Sequence, residues 1–90
     1  MPTKQEYQEL ISEIIKKQVS ILGPDIAIQR ASQIDGLKVD SSGKVVSLKG
    51  DEQTILQRLI DQYIELSGQI VKNVLRPVFQ KYPSIEVDIK

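Results

Sequence analysis

Apolar residues recur along this chain with two different periods, and the change between them divides it into elements. From Tyr7 onward, Tyr7, Leu10, Ile11, Ile14, Ile15, Val19 and Leu22 return every three or four residues, one broad face of an amphipathic helix. Thr3 and Glu6 stand ahead of it at capping-box spacing, in which the hydroxyl and the carboxylate satisfy each other's backbone amides. Gly23-Pro24 ends the run, because Gly suits a left-handed C′ position and Pro cannot extend a helix but opens the next one well. A second, short helix is predicted from about Pro24 to Gln33, with Ile26, Ala27, Ala31 and Ile34 inward and Asp25 near the positive end of its dipole.

After Gly36 the period falls to two. Leu37 to Asp40 alternates, Ser41-Ser42-Gly43 supplies a turn, and Lys44 to Leu48 returns as a second strand. The turn residues predict a type I turn with Gly43 left-handed as a G1 bulge. A lone hairpin is marginal in water, so its apolar face must lie on the helices. Gly50-Asp51 closes it, with Asp51 as N-cap of the next helix and Glu52 in the first turn.

From Glu52 to about Tyr82 the helical period returns. Leu56, Ile60, Tyr63, Ile70, Val74 and Val78 form one stripe, widened by Ile55, Leu59, Ile64, Leu66, Val71, Leu75 and Phe79. One straight helix of this length would span roughly 46 Å, against a diameter of about 30 Å for a compact chain of this size. The run must therefore kink, with Pro77 as the expected point, or project beyond the body onto a partner. Pro83 ends it, and Ser84 to Lys90 alternates strictly as a third strand. The predicted fold is a single α+β domain over residues 1–90: two N-terminal helices, a β-hairpin, a long C-terminal helix and a terminal strand (ααββαβ), the small antiparallel sheet packed on helices. Leu56, Ile60, Tyr63, Ile70 and Val74 are expected in the core, against Leu10, Ile14 and Leu22.

Composition narrows the chemistry. Twelve basic and twelve acidic residues cancel, so no global field draws the chain to nucleic acid or anionic lipid. With neither cysteine nor histidine, disulfides, thiolate nucleophiles, imidazole bases and the commonest zinc and haem ligands are excluded. The start is polar and no apolar run reaches the ~20 residues of a membrane span, so the expectation is a cytoplasmic protein with no membrane or nucleic-acid partner. Ser42-Gly43-Lys44 fails as the end of a phosphate-binding loop, since Lys38 stands where the upstream glycine belongs and Val45 where a Ser or Thr should follow. Asp35, Asp40, Asp51 and Glu52 gather near the hairpin ends, but each serves as turn former or cap and none has calcium-loop spacing. Tyr63 sits mid-stripe and is expected in the core; Tyr7 and Tyr82 suit either a core rim or an interface. No nucleophile–base pair is evident, so no catalytic residue, cofactor or metal is assigned.

Charge along the helices points to association. Glu52, Asp61 and Glu65 weight the start of the long helix, and Lys72, Arg76 and Lys81 its end. Antiparallel pairing of two such helices sets unlike halves together, and so does antiparallel packing on the first helix, which has Glu6, Glu9 and Glu13 ahead of Lys16 and Lys17. The segment Ile21-Leu22-Gly23-Pro24-Asp25-Ile26-Ala27, followed by Ala31, resembles the Leu-Gly-Pro-Ile-Ala segment of small helical accessory modules of bacterial signalling proteins, with Asp25 as an extra residue. The resemblance implies a regulatory interaction module without catalysis of its own. The resulting expectation is a non-enzymatic protein-interaction or regulatory module that binds a protein partner or itself as a homodimer, with Leu75, Val78, Phe79, Tyr82, Ile85, Val87 and Ile89 as the partner-binding surface. The alternative is a ligand-binding module holding an apolar molecule between helices and hairpin.

Overall fold

Thr3 opens the chain as expected. In the computed structural model, which describes residues 2–85 and Val87, the Glu6 N–H donates to the Thr3 hydroxyl at 3.1 Å and the Thr3 N–H to the Glu6 carboxylate at 3.4 Å, completing the capping box. The helix they start, α1, spans Lys4–Leu22, and α2 follows as Pro24–Ser32. The hairpin pairs β1 (Leu37–Val39) with β2 (Val45–Leu48) antiparallel, Leu37 opposite Leu48 and Lys38 opposite Ser47. Val39 then pairs with Val45, so Val46 is the extra residue of a bulge and faces water.

The turn has the predicted chemistry. The Gly43 N–H donates to the Asp40 carbonyl at 3.1 Å and the Asp40 N–H to the Lys44 carbonyl at 2.9 Å, the bonds of a type I turn closed by a bulge glycine. Gly43 has φ 89°, as its place requires. A Cβ there would also meet Ile15 Cγ2 at 3.0 Å, because the turn lies on α1. Asn suits left-handed backbone, but here the space is closed as well.

The long C-terminal run is two helices. α3 spans Glu52–Ser67, capped by the Asp51 carboxylate, which accepts from the Thr54 N–H at 3.2 Å. α4 spans Gln69–Gln80, and Gly68 between them has φ 60° and ψ −127°. That conformation belongs to Gly alone, since a Cβ would clash with the backbone. The break expected at Pro77 is therefore at Gly68. Pro77 stays inside α4, on its exposed side. Its missing N–H leaves only the carbonyl of Asn73, itself exposed, without a helical partner.

The break also shifts the phase of the buried stripe. Leu56, Ile60 and Tyr63 are buried in α3 as predicted, but in α4 Val71, Leu75 and Val78 point inward. Ile70 is 56% exposed and Val74 only half-buried, so neither is the core residue that continuous periodicity implies. Ile26, expected inward on α2, is 45% exposed. The core joins Leu10, Ile11, Ile14 and Ile15 of α1 to these residues and to Leu37, Val45 and Leu48 of the hairpin. Gln18 is wholly buried beside them, and its amide finds no partner among the described residues.

The architecture is α+β, four helices packed with a two-stranded antiparallel sheet, among the described residues. Its radius of gyration is 11.6 Å and its longest extent 32 Å. Of the predicted third strand, Ser84 and Ile85 lie in a turn and bend and Val87 in irregular chain; its other residues, Ile89 included, fall outside the described ones.

Two measurements test this packing. Urea unfolding of Ile14→Ala and Ile60→Ala is expected to show losses of about 2–4 kcal/mol from transfer and cavity terms, with Ile70→Ala changing stability by under ~0.5 kcal/mol, as exposed sites do. Equal losses at Ile60 and Ile70 would mean that the two helices share one phase. Gly43→Asn is expected to lose about 1–3 kcal/mol through overpacking against Ile15, and a neutral result would show that the turn stands clear of α1.

Candidate functional site

The residues expected to form a partner-binding surface divide sharply by burial. Leu75, Val78 and Ile85 are buried in the core of their own chain; Phe79, Tyr82 and Val87 pack at its edge. They meet α1, because α4 returns antiparallel to it. Lys81 Nζ lies 3.5 Å from the Glu13 carboxylate, and the Tyr82 hydroxyl is pushed to higher pKa by burial and then by Glu13, Glu9 and Glu6. The basic end of the C-terminal run thus meets the acidic start of α1 within one chain, whereas the acidic start of α3 lies beside that same end of α1. At the other side of α1, the Tyr7 hydroxyl donates to Gln53 Oε1 at 2.9 Å, setting the starts of α1 and α3 side by side.

The exposed apolar residues lie elsewhere. The Tyr63 hydroxyl, fully buried, donates to the Ala27 carbonyl at 2.7 Å and ties the last turns of α3 to α2. Burial raises its pKa far above the ordinary tyrosine value. Ile26 neighbours one end of this bond and Leu66 lies three residues beyond the other; Ile70 follows past the Gly68 break. Leu66 is 38% exposed, so Leu66 and Ile70 meet water on either side of the α3–α4 break, Ile26 on α2 and Val46 on the hairpin. Ser67, at the same turn, keeps its hydroxyl buried with no partner among the described residues. Burial of Ile26, Leu66 and Ile70 was not separable in sequence from that of their neighbours; the one available signal was a glycine inside a helical run.

An open groove of about 560 Å³ runs along α1, bounded by the start of β2 and by Tyr82. Its lining is polar: Gln8, Glu9, Ser12 and Lys16 of α1, with Lys44 across from them. The Ser12 hydroxyl accepts from the Val45 N–H at 3.0 Å, so it is occupied in holding the hairpin on α1. A smaller hollow of about 400 Å³ lies between the start of α2 and Ser41.

The acidic residues near the hairpin do local work. The Asp40 carboxylate accepts from the Ser42 hydroxyl at 2.6 Å and from the Ser42 and Lys44 N–H groups at 2.9 and 3.0 Å. The Ser42 hydroxyl and then the Lys44 amide hold its pKa below the usual carboxylate range. Among the described residues no group of three or more acidic side chains converges on one point, and no helix is long and apolar enough to cross a membrane.

Compared with protein-family models, with curated proteins and with solved structures, the chain finds no match. The exposed apolar residues Ile26, Leu66 and Ile70 are therefore judged on their own chemistry.

Tyr63→Phe tests the bond that ties α3 to α2. Thermal or urea unfolding is expected to show a loss of about 0.5–1.5 kcal/mol, the net contribution of one such hydrogen bond. An unchanged midpoint would mean that packing of the ring alone fastens α2 to α3.

Proposed function

We propose that this chain is a non-catalytic cytoplasmic interaction module with a regulatory role, working by association with a second copy of itself. The observation that carries the reading is the exposure of Leu66 and Ile70, four residues apart across the Gly68 break, with Ile26 of α2 exposed as well. Single exposed apolar residues are ordinary, but large ones flanking a single turn are candidates for cover by a partner. The likeness of Ile21 to Ala27 to accessory modules of signalling proteins points the same way, since such modules act through contacts and carry no chemistry of their own. The surface favoured is not the one expected from sequence, because Leu75, Val78 and Ile85 already serve the chain's own core. The alternative, a module holding an apolar molecule between helices and hairpin, gains less support: the groove on α1 beside the hairpin is open and lined by glutamine, glutamate, serine and lysine.

Light scattering across concentration distinguishes the cases. The wild-type chain is expected to pass from monomer to dimer as concentration rises, and Ile70→Glu to hold it monomeric with an unchanged circular dichroism spectrum. A wild-type chain monomeric into the millimolar range would remove the reading.

A further inference from the structure

Only one residue separates the bent α3–α4 arrangement from a continuous helix. The Gly68 N–H donates to the Ile64 carbonyl at 2.7 Å, already the helical i→i−4 bond, and regular helix resumes at Gln69. Turning Gly68 from φ 60° and ψ −127° to ordinary helical angles, roughly −63° and −42°, would fuse Glu52–Ser67 and Gln69–Gln80 into one helix. The sequence suits that helix: Leu56, Leu59, Ile60, Tyr63, Leu66, Ile70 and Val74 then share one stripe at spacings of three and four.

A fused helix cannot stay on its own body. Residues 52–80 would span about 44 Å, against a longest extent of 32 Å for the chain. It would carry α4 off its own α1, whose apolar face would lose the cover of Val71, Leu75 and Val78. The α1 of a second chain offers a displaced α4 the same apolar strip as its own, with Glu13 placed to receive Lys81 as it does now. Two chains exchanging α4 reciprocally remake every α1–α4 contact between them and close a two-fold dimer.

The bent form carries features that the exchange relieves. Leu66 and Ile70 flank the hinge and face water in the closed chain; in a straight helix they stand one turn apart, on the stripe of Tyr63. Gly68 itself has open space where a Cβ would sit, so its conformation, and not crowding, is what the bend requires.

We propose that the chain dimerises by exchanging α4, with Gly68 as the hinge. This rests on the self-association reading and specifies its form. Since the sequence contains no cysteine, full-length Glu13→Cys and isotopically labelled Lys81→Cys chains each carry one thiol at the α1–α4 contact. Mixed, unfolded and refolded at high concentration, then treated with a short bis-maleimide, they are expected to give residue 13–81 links between labelled and unlabelled chains, and a Glu13→Cys with Lys38→Cys mixture none. Gly68→Ala removes the dihedrals that only Gly tolerates and favours helix, so it is expected to tighten dimerisation by about tenfold per hinge. A dimer by light scattering that yields no interchain 13–81 link overturns the exchange and leaves self-association standing. Monomers at every concentration, in wild type and in Gly68→Ala alike, overturn both.

Discussion

α1 is touched by α2, α3, α4 and β2, and its Leu10, Ile11, Ile14 and Ile15 are shut off completely from water. The other elements therefore depend on a surface supplied by one nineteen-residue helix. A two-stranded hairpin and two short helices have too little apolar area to stand alone. Each gains stability by covering a different strip of the same cylinder: α3 and α4 take the strips that meet Tyr7 and Glu13, and the hairpin is fastened by Ser12 and by the contact of Gly43 with Ile15. The capping box at Thr3 matters for this reason, since it fixes where the shared helix begins.

This dependence explains which features could be read in the sequence. Thr3 with Glu6, Gly23-Pro24, Asp51, and the turn from Asp40 to Gly43 are local chemistry, in which side chain and backbone a few residues apart decide the outcome. The C-terminal run is different. A glycine inside a helix costs only about 1 kcal/mol relative to alanine, so the pattern alone does not say whether Gly68 is tolerated there or turns the chain. Pro77 was the stronger local breaker, yet near the exposed end of α4 it removes little. Packing on α1 decided between them, and that is a property of the whole chain.

The same reasoning applies to the candidate site. Leu75, Val78, Phe79 and Tyr82 were identifiable as residues needing cover, but apolar periodicity does not state whose surface covers them. The pairing of Glu13 with Lys81 assigns that cover to α1 of the same chain. Once the bend is in place, Ile26, Leu66 and Ile70 are left outside, and no sequence argument made in a single helical phase could have singled them out. Gln18 is a further case. It falls in the apolar rhythm of α1 between Ile14 and Leu22, is wholly buried, and has no partner among the described residues, a local conflict of the kind that lowers the margin of a small core.

The contact between Glu13 and Lys81 joins positions sixty-eight residues apart. During synthesis, therefore, the helix that organises the fold is made well before the last of the elements that cover it. α2 and the hairpin reach it early, whereas the strip reserved for α4 stays bare until Gln69–Gln80 has been made. Through that interval the growing chain carries an unsheltered apolar seam, and on a crowded messenger the neighbouring nascent chains carry the same one. The order of elements thus makes the synthesis of α2, the hairpin and α3 the time of greatest exposure to like chains, and it sets a premium on rapid completion of α4.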